Sequence, residues 1–468
     1  MKNRLTLVTV ATHKTHELDR FIESAKYHGY DYVILGLGME WTGGVADNGR
    51  LVFPGGGMKV NLLKDYLSTY EGSNSDVILF TDSYDVVFNE KPDELLSRWD
   101  GNVLFTAEKT CWPDRDLEEE YPNSPYGYKY LNSGGFIATV GDLINLTETK
   151  CMDHDDDQLY YTLKFLNGDK INLDYNLDIF QTLNQSIDDV EIHNGRVYNK
   201  VTKTYPIVIH ANGGVGPRTY LNKLYNDMRQ PAPKLKQLNG DERVCLQMLF
   251  DKKHTNPSIM VESLSYLTYD KRLIDLSFYN NDKENQWAIE NYIKNNGDKY
   301  NSITQVYDES KGVYELREMS FKESTGYDGD YVLHNDSSFI IKNKDTIQLL
   351  MSEGKDIISP MINTEQTFNS NFWGGVSDDG YYLESYDYHD IRTYNKKGTF
   401  VVPFISGVIM FSKEILKTDL FSTMFSDLDK EILNYYDEDH MVVLANTIRD
   451  KNLFMYITNK RYYGKFFN

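Results

Sequence analysis

The chain has 468 residues, 40% of them hydrophobic and 25% charged, which is enough for two or three domains with cores of their own. A formal net charge of −21 argues against a nucleic-acid partner, because it would repel a phosphate backbone; a bound polyphosphate would need a metal or local donors. Three cysteines, Cys111, Cys151 and Cys245, are too few for a disulfide framework or a cysteine-based zinc site and favour a reducing compartment.

The first half of the chain alternates apolar strands with amphipathic helices. It opens on a strand rather than a signal peptide, because no small-residue cleavage site follows the early cations. No apolar run reaches the ~18 residues of a membrane span. The predicted elements are, in order, LTLVTVAT, LDRFIESAKYHG, DYVILGLG, MKVNLLKDYLSTY, DVILFTD and, near residue 216, YPIVIHANGG. This order predicts an α/β fold with a mostly parallel, doubly wound sheet.

The sequence predicts two domains joined by a connection. Residues 226–258 carry proline, glycine and charge without an apolar period, which is typical of a connection. The first domain is therefore placed at residues 1–225 and the second at residues 259–468.

The second half repeats the order of the first. DVILFTDSYDVVF aligns with DYVLHNDSSFIIK, NVLFTAEKT with DIISPMINT, and NSGGFIATV with FISGVIMFS. Asp82 then matches Asp336, while Phe339 takes the place of Asp85. We interpret the second domain as a degenerate copy of the first. The alternative is that any two doubly wound domains show such similar segments.

The stretch DVILFTDSYDVVF runs a buried strand into two aspartates. Its four apolar residues predict a strand covered on both faces, which places Asp82 and Asp85 at the carboxyl end, where open α/β sheets bind ligands. Either aspartate alone could close an Asx-turn or cap a helix. Together they can turn toward one hard divalent cation, such as Mn²⁺ or Mg²⁺.

A histidine and a glycine-rich loop end the first half. His210 closes the strand YPIVIH, and Asn212, Gly213, Gly214 and Gly216 follow it. Such a bare backbone could approach phosphate oxygens closely. A strand-end histidine is often only structural, but this loop and the paired aspartates favour a functional role.

Two further segments precede predicted helices. Gly55–Gly57 lead into a helix with Lys59 in its first turn, where backbone donors favour anions, although the spacing is not that of a P-loop. The segment DHDDDQLYYTLKF sets four aspartates before another helix, and capping needs only one or two of them. We interpret the surplus as a sugar-hydroxyl site or as steering for a cationic acceptor.

Taken in order, these motifs resemble the glycosyltransferase part of the procollagen lysyl hydroxylase and glycosyltransferase family. The motifs are VTVAT, LGLGMEWTGG, GGGMKV, FTDSYDV, FTAEKTCWP, LNSGGFI, DDDQL and PIVIHANG, and the likeness continues through SNFWGGVSDDGYY, VPFISGV and LFMYITNKRYYG. The resemblance covers essentially the whole chain. It implies a catalytic, Rossmann-like GT-A domain followed by a related accessory domain without catalysis.

The resemblance also implies roles for single residues. The implied Mn²⁺ ligands are Asp82, Asp85 and His210. The implied uridine diphosphate contacts are Val10, Thr12, Lys59, Ser83, Tyr84, Asn212, Gly213, Gly214 and Gly216. The implied catalytic residues on the sugar and acceptor side are Trp41, Glu108, Trp112, Asp155, Asp156 and Asp157. The family's loop after the histidine is shorter and ends in a lysine, whereas this chain has an inserted GV and Arg218.

The family also has an iron-dependent hydroxylase domain, which would begin where this chain ends, at RYYGKFFN. The chain is therefore interpreted either as a fragment or as a member without hydroxylation. The lack of a signal peptide and the AT-biased composition indicate a non-animal member, such as one from a giant virus. Its expected location is the cytoplasm of a host cell or the virion, or the endoplasmic reticulum lumen if the family's usual location applies.

These expectations combine into one hypothesis. The chain would be a Mn²⁺-dependent transferase of a hexose, with glucose favoured over galactose, from a UDP-sugar to hydroxylysine or galactosyl-hydroxylysine of a collagen-like polypeptide. No nucleic acid and no membrane span are expected, and a homodimer is left open. The alternatives are a metal-dependent UDP-sugar phosphohydrolase and a non-catalytic collagen-binding scaffold.

Overall fold

The computed structural model of the chain divides into two compact units, Met1–Pro231 and Ala232–Asn468. No described helix is long and apolar enough to cross a membrane. Only the backbone is described for residues 45–47 and 50–54. The described residues are 4–47, 50–228, 235–251, 256–336, 339–363, 370–377, 379–422 and 440–466.

The first unit is built from short strands and amphipathic helices. Its strands are β1 (Leu5–Val10), β2 (Tyr32–Leu35), β3 (Gly44–Asp47), β4 (Arg50–Pro54), β5 (Val77–Thr81), β6 (Val86–Phe88), β7 (Leu104–Glu108), β8 (Tyr130–Thr139), β9 (Asn172–Leu173), β10 (Phe180–Thr182), β11 (Val190–His193), β12 (Arg196–Asn199) and β13 (Val208–His210). Its helices are α1 (His16–His28), α2 (Gly57–Ser68), α3 (Pro92–Arg98), α4 (Val140–Leu146), α5 (Asp157–Leu166) and α6 (Val215–Asp227).

A six-stranded sheet forms the centre of the first unit, in the order β2-β1-β5-β8-β7-β9. The prediction of a mostly parallel sheet is confirmed, and β8 alone runs against its neighbours β5 and β7. Strand β5 is buried along its whole length because helices cover both faces. A register that pairs Thr9 with Thr81 brings the ends of β1 and β5 level, so the loops that follow them lie side by side.

The second unit has the same kind of elements. Its strands are β14 (Val244–Phe250), β15 (Ile274–Asn280), β16 (Ser302–Tyr307), β17 (Tyr331–Asn335), β18 (Phe339–Ile341), β19 (Ile357–Pro360), β20 (Phe372–Trp373), β21 (Gly375–Val376), β22 (Tyr382–Leu383), β23 (Thr399–Val402), β24 (Phe404–Ile405), β25 (Val408–Ser412), β26 (Met455–Thr458) and β27 (Gly464–Phe466). Its helices are α7 (Pro257–Ser263), α8 (Lys283–Asn296), α9 (Val313–Thr325), α10 (Thr346–Ser352), α11 (Tyr388–Arg392), α12 (Lys413–Leu416) and α13 (His440–Asp450).

The sheet of the second unit repeats part of the first. Its order is β16-β15-β14-β17-β25-β19-β26-β23, and the stretch β15-β14-β17-β25-β19 matches β2-β1-β5-β8-β7 in order and direction. In both stretches the fourth strand is antiparallel to its neighbours. The segments aligned in the sequence therefore occupy corresponding strands.

One predicted boundary is wrong. Residues 226–258 were assigned to a connection, but Val244–Phe250 forms β14, which is fully buried and pairs with both β15 and β17. The sequence VCLQMLF is a short apolar run without a turn signal inside it. Charged residues on both sides made the segment as a whole resemble a connection. The division at residues 231 and 232 falls before this strand, so β14 belongs to the second unit.

A buried histidine makes the second unit sensitive to acid. His334 on β17 is fully buried against Phe321, and burial lowers the pKa of its imidazole to about 4. The unfolded chain should therefore bind a proton that the folded unit does not, and we expect the free energy of unfolding to fall by about 3 kcal/mol as pH falls from about 6.5 to about 4. We expect His334→Gln to lose less free energy of unfolding over this interval, measured by urea unfolding at several pH values. Parallel losses in both proteins would contradict the prediction.

Candidate active site

Two sheets of the first unit bring Asp82, Asp85 and His210 together; we call these three residues the edge cluster. The aspartates follow β5, and His210 ends β13. Strand β6 runs antiparallel to β13 and pairs Val86 with His210, while the Ala211 amide donates to the Asp85 carbonyl at 2.8 Å. Strand pairing therefore fixes the histidine next to the loop that carries both carboxylates.

The edge cluster has the spacing of a set of metal ligands. The Nε2 atom of His210 lies 3.6 Å from Asp82 Oδ2 and 3.4 Å from Asp85 Oδ1. One ligand atom from each residue lies within 4.8 Å of the others. The side chains of His210 and Asp85 are 4% and 13% exposed, and that of Asp82 is 26% exposed. The cluster is therefore buried at His210 and Asp85 and reaches solvent at Asp82.

Burial and neighbouring charges shift the pKa values of Asp85 and His210. Burial would raise the pKa of Asp85, but His210, Arg218 and Lys59 outweigh it and lower the pKa to about 2. Burial would lower the pKa of His210, but the Asp85 and Asp82 carboxylates raise it above its ordinary value. The Asp85 carboxylate is therefore ionised at neutral pH and can serve as an oxygen ligand.

A glycine leaves room for the histidine ring. A Cβ atom on Gly134 of β8 would lie 2.1 Å from His210 Cε1 and 2.8 Å from Asp82 Oδ2, distances that real Cβ atoms do not adopt. The Nδ1 atom of His210 is buried and has no hydrogen-bond partner among the described residues. Two carboxylate oxygens and an imidazole nitrogen suit a divalent cation such as Mn²⁺, whose ligand atoms would lie roughly 3 Å apart. The residues therefore fit the ion.

Lys59 joins the edge cluster to the acidic segment, residues Asp153–Asp157. Its Nζ atom lies 2.9 Å from Asp82 Oδ1 and 3.0 Å from Asp157 Oδ2, so Asp82 offers one oxygen to the lysine and the other to His210. Burial would lower the pKa of Lys59, but Asp157 and Asp82 outweigh it and raise the pKa well above its ordinary range. The lysine is a fixed cation at the entrance of the site.

The glycines before α2 do not offer free donors. The amides of Gly56 and Gly57 both donate to the Asp155 carbonyl, at 2.9 and 2.8 Å, and the Met58 amide donates to the Asp153 carbonyl at 3.1 Å. A Cβ atom on Gly56 would lie 1.8 Å from Asp157 Oδ1. The prediction of an anion site on this backbone is therefore wrong, because the loop packs against the acidic segment instead.

The aspartates of the acidic segment all have partners within the chain. Asp156 caps α5 by accepting from the Leu159 amide at 2.8 Å, and Asp155 accepts from the Met152 amide at 2.7 Å. Asp153 accepts from Thr42 and Asn61 side chains, and Asp157 pairs with Lys59. Local structure thus uses more of these carboxylates than the one or two that capping requires. Asp155 alone among Asp155–Asp157 is largely exposed, at 48% for its side chain.

Tyr84 ties the two strand-end loops together. Its hydroxyl accepts from the Thr12 and His13 amides at 3.2 and 3.1 Å and donates to the His13 carbonyl at 3.2 Å. Ser83 is 2% exposed, and its hydroxyl donates to the Val10 carbonyl at 2.8 Å. The structure therefore brings Val10, Thr12, Ser83 and Tyr84 together, with Ser83 facing the interior.

Glu108 is held by three side-chain amides. Asn132 and Gln158 donate to its Oε1 at 2.9 Å each, and Asn212 donates to its Oε2 at 2.8 Å. Glu108 is 3% exposed, and burial raises its pKa. Both oxygens are in use, so the structure supports a positioning role for this carboxylate rather than the direct catalytic role predicted from the resemblance.

Two tryptophans were assigned to the sugar and acceptor side. Trp41 and Trp112 are 37% and 48% exposed. The Trp112 carbonyl accepts from Gln158 at 3.3 Å, which links this loop to the Glu108 network. No described contact joins Trp41 to the edge cluster.

The loop after His210 leads into an open helix end. Gly213 adopts the left-handed region, at φ 96°, and Gly214 precedes α6 and gives it no side-chain cap. Asn212 accepts from the Leu183 and Asn184 amides and holds this turn in place. Gly216 is buried in the first turn, and Arg218 is exposed, with its Nε atom 4.0 Å from Asp85 Oδ2. An uncapped helix N-terminus with a nearby guanidinium favours anions.

Sequence reasoning missed Asn132, Gly134 and Gln158. All three lie inside motifs that carried the family resemblance, LNSGGFI and DDDQL, yet nothing in their spacing shows which residue they contact. Asn132 and Gln158 hold Glu108, and Gly134 accommodates His210.

Comparison with known families matches both halves of the chain. Residues 1–234 match the family model of the PLOD GT domain, and residues 278–468 match that of the glycosyltransferase family 25 N-terminal domain. The chain is 33% identical to procollagen-lysine,2-oxoglutarate 5-dioxygenase 1 of Gallus gallus and 31% identical to the multifunctional procollagen lysine hydroxylase and glycosyltransferase LH3 of Rattus norvegicus. Each alignment covers 99% of this chain, but only 66% and 64% of those relatives.

Among solved structures, a mannosyltransferase from Pyrobaculum calidifontis in complex with GDP-Man and Mn²⁺ gives a TM-score of 0.35 at 11% identity, covering 53% of this chain and 62% of that one. GalNAc-T7 with UDP, GalNAc and Mn²⁺ gives a TM-score of 0.31 at 13% identity, covering 48% of this chain and 42% of that one.

Proposed function

This chain belongs to the procollagen lysine hydroxylase and glycosyltransferase family, and from that premise we propose that it is a Mn²⁺-dependent glycosyltransferase whose chemistry lies at the edge cluster. The observation that carries the proposal is the convergence of Asp82, Asp85 and His210 at the carboxyl edge of the first unit, within 4.8 Å of one another. The family's glycosyltransferase domain model covers that unit. When bound there, a divalent cation supplies Lewis-acid stabilisation of the departing diphosphate, worth several kcal/mol.

In this proposal the residues around the edge cluster would hold a nucleotide diphosphate. Arg218, whose Nε atom lies 4.0 Å from Asp85 Oδ2, and the uncapped start of α6 would receive phosphate oxygens. Arg218 would then take the place of the lysine that ends the family's shorter loop. The uridine would lie against Val10, Thr12 and Tyr84, where hydrogen bonds lock the two loops together.

The proposed donor is UDP-glucose, with galactose as the second choice, and the proposed acceptor is hydroxylysine or galactosyl-hydroxylysine in a collagen-like polypeptide. Lys59, whose Nζ atom lies 2.9 Å from Asp82 Oδ1, would lie beside a donor bound at the edge cluster. Trp112 and Asp155, both well exposed beside the Glu108 and Lys59 networks, would meet the sugar or acceptor. Glu108 would act through Asn212, by fixing the start of the loop that leads to Arg218.

The second unit is proposed to be non-catalytic. Asp336 follows β17 as Asp82 follows β5, but it pairs with Arg317 at 2.5 Å, and both side chains are almost buried, at 8% and 11% exposed. Since Phe339 takes the place of Asp85, Ile340 corresponds to Val86, and strand β18 sets Lys465 opposite Ile340 where the first unit sets His210 opposite Val86. The counterpart of the edge cluster therefore lacks the imidazole.

Product identification tests this proposal against its rivals. The protein is incubated with Mn²⁺ and a panel of UDP-sugars, with and without hydroxylysine and galactosyl-hydroxylysine peptides. A glycosyltransferase releases UDP and a glycosylated peptide. A phosphohydrolase would release a sugar phosphate whether or not peptide is present, and a scaffold would show no affinity for UDP.

Chelation should remove both transfer and UDP binding. A diphosphate that approaches a chain of net charge −21 and two clustered aspartates is repelled unless a cation intervenes. We expect UDP titrations followed by calorimetry to show binding with Mn²⁺, none in EDTA, and recovery after excess Mn²⁺. UDP affinity that survives EDTA unchanged would refute metal dependence.

A further inference from the structure

A buried arginine reaches two segments of the candidate site. Arg20 lies on α1 and is 4% exposed. Its Nη2 atom donates to the Tyr84 carbonyl at 2.8 Å, and its Nη1 atom donates to Asn222 Oδ1 on α6. These partners lie 64 and 202 residues further along the chain, so tertiary packing sets both contacts, not the geometry of a local turn or helix cap.

The first contact fixes the middle of the loop between β5 and β6. Neighbouring strands hold both ends of that loop, since the Asp82 amide donates to a carbonyl of β8 at 2.9 Å and the Asp85 carbonyl accepts from the residue after β13 at 2.8 Å. Between them, the Tyr84 carbonyl is held by Arg20 and the Tyr84 hydroxyl by the loop after β1. Loss of Arg20 would therefore loosen Tyr84 without breaking the pairing that positions the two aspartates.

The second contact fixes helix α6. Asn222 and Arg218 are four residues apart and share one face of this helix. Arg218 is one turn closer to the uncapped start of α6 and brings its Nε atom to 4.0 Å from Asp85 Oδ2. The hydrogen bond at Asn222 therefore holds the helix face that carries Arg218.

Stability alone is a weak reason for this arginine. Taking a guanidinium out of water costs several kcal/mol, and well-packed apolar side chains of similar volume often stabilise a core as well or better. An apolar side chain cannot supply two donors in a fixed fork, one for a loop and one for a helix. The guanidinium is therefore suited to fixing the distance between its two partners.

We propose that Arg20 is a positioning residue for the nucleotide, which holds Tyr84 and the start of α6 at the separation that a bound diphosphate requires. The inference rests on the proposed function, because the nucleotide would lie between these two segments. Arg20 is 4% exposed and donates to protein groups, so it acts through Tyr84 and α6 and not by touching the nucleotide. Removing its donors weakens nucleotide binding and spares the cation.

Separate calorimetric titrations of Mn²⁺ and UDP test the inference. Arg20→Met keeps an aliphatic stem and removes both donors, while Asn222→Ala removes only the α6 contact, at a half-buried position that puts the fold less at risk. We expect the Kd for UDP at saturating Mn²⁺ to rise about tenfold or more in both variants, because small displacements of binding groups are costly. The Kd for Mn²⁺ without UDP should stay within about twofold of the native value.

Two control variants separate positioning from a merely structural role. Asn222→Asp keeps an oxygen acceptor for Arg20 and should retain native UDP affinity. Tyr225→Phe removes a second hydrogen bond between the same two helices, from the Tyr225 hydroxyl to Glu23 at 3.2 Å. It should leave both affinities unchanged, whatever it does to the thermal midpoint.

Native UDP affinity in folded Arg20→Met and Asn222→Ala would overturn the inference, as would a Mn²⁺ affinity that falls as steeply as the UDP affinity. An equal loss of UDP affinity in Tyr225→Phe would assign the effect to helix packing and overturn it too. A native chain that binds Mn²⁺ but no UDP would refute the proposed function itself, and the inference with it.

Discussion

Replacing Asp85 with alanine is expected to abolish sugar transfer, with a rate loss of ~10³ or more. Asp85 is one of three candidate ligands, and its Oδ1 atom lies 3.4 Å from His210 Nε2. Without Asp85, a divalent cation would keep only the Asp82 carboxylate and the His210 imidazole as ligands. Arg218 would also lose the carboxylate beside it. Bound metal, UDP affinity and rate should therefore fall together, measured by metal analysis, calorimetry and product formation.

The strand-end aspartate of the second unit provides the contrast. Asp336 pairs with Arg317, and the residues between Asp336 and Phe339 are two serines. We expect Asp336→Ala to leave the transfer rate of the folded protein largely intact. It should instead lower stability by about 3–5 kcal/mol, because it leaves a buried guanidinium unpaired.

Asp336→Asn makes the comparison cleaner, because an amide oxygen still accepts from Arg317. Thermal midpoints measured beside the rates separate unfolding from lost chemistry. If Asp336→Asn removes transfer in a folded protein, or Asp85→Ala retains transfer, the chemistry does not belong to the first unit.

Much of the fold could be predicted because local patterns and burial agree. Strand β5 is a continuous apolar run. Helix α1 is capped at its start by Thr15, whose side chain accepts from the Leu18 amide, and is followed by Gly29 in the left-handed region. Strand β14 was missed because charged neighbours diluted a short apolar run. Its burial comes from pairing with β15 and β17, which are distant in sequence.

From the sequence, only the types of residue at the strand ends of the candidate site could be predicted, not the contacts between them. The sequence placed Asp82, Asp85 and His210 at the ends of predicted strands, but their mutual approach depends on the antiparallel pairing of β6 with β13. Lys59 illustrates the limit: its helical position suggested an anion, whereas its ammonium pairs with Asp82 and Asp157. Side-chain partners more than twenty residues apart are set by packing, which no local pattern encodes.

Gly134→Ala is the second change from which we expect a large effect. Residue 134 does not adopt a left-handed backbone that would favour glycine. Glycine is needed there for space, since a Cβ atom would lie 2.1 Å from His210 Cε1. His210 is 4% exposed and cannot swing outward, so its ring must shift against Asp82 or Asp85. A displacement of about 1 Å at a reacting centre can cost ~10²-fold in rate, and we expect at least that loss, together with weaker metal binding.

Gly135→Ala is the matched control on the adjacent residue. Its Cβ atom would meet Thr106 Oγ1 at 2.6 Å and Phe180 at 3.0 Å, away from the edge cluster. Both variants should lose stability through overpacking, typically by 1–3 kcal/mol, but only Gly134→Ala should lose metal affinity in its folded fraction. Equal metal affinities in the two variants would contradict the role assigned to Gly134.

A double-mutant cycle shows whether the loss acts through the histidine ring. In a His210→Ala background the ring is absent, so adding Gly134→Ala should cost much less free energy of unfolding than it does in the native chain. The coupling energy, obtained from urea unfolding of the four proteins, isolates the contact between residue 134 and the ring. A coupling near zero would mean that Gly134 serves the sheet rather than the site, because strand β8 pairs at this point with β5 whether or not the imidazole is present.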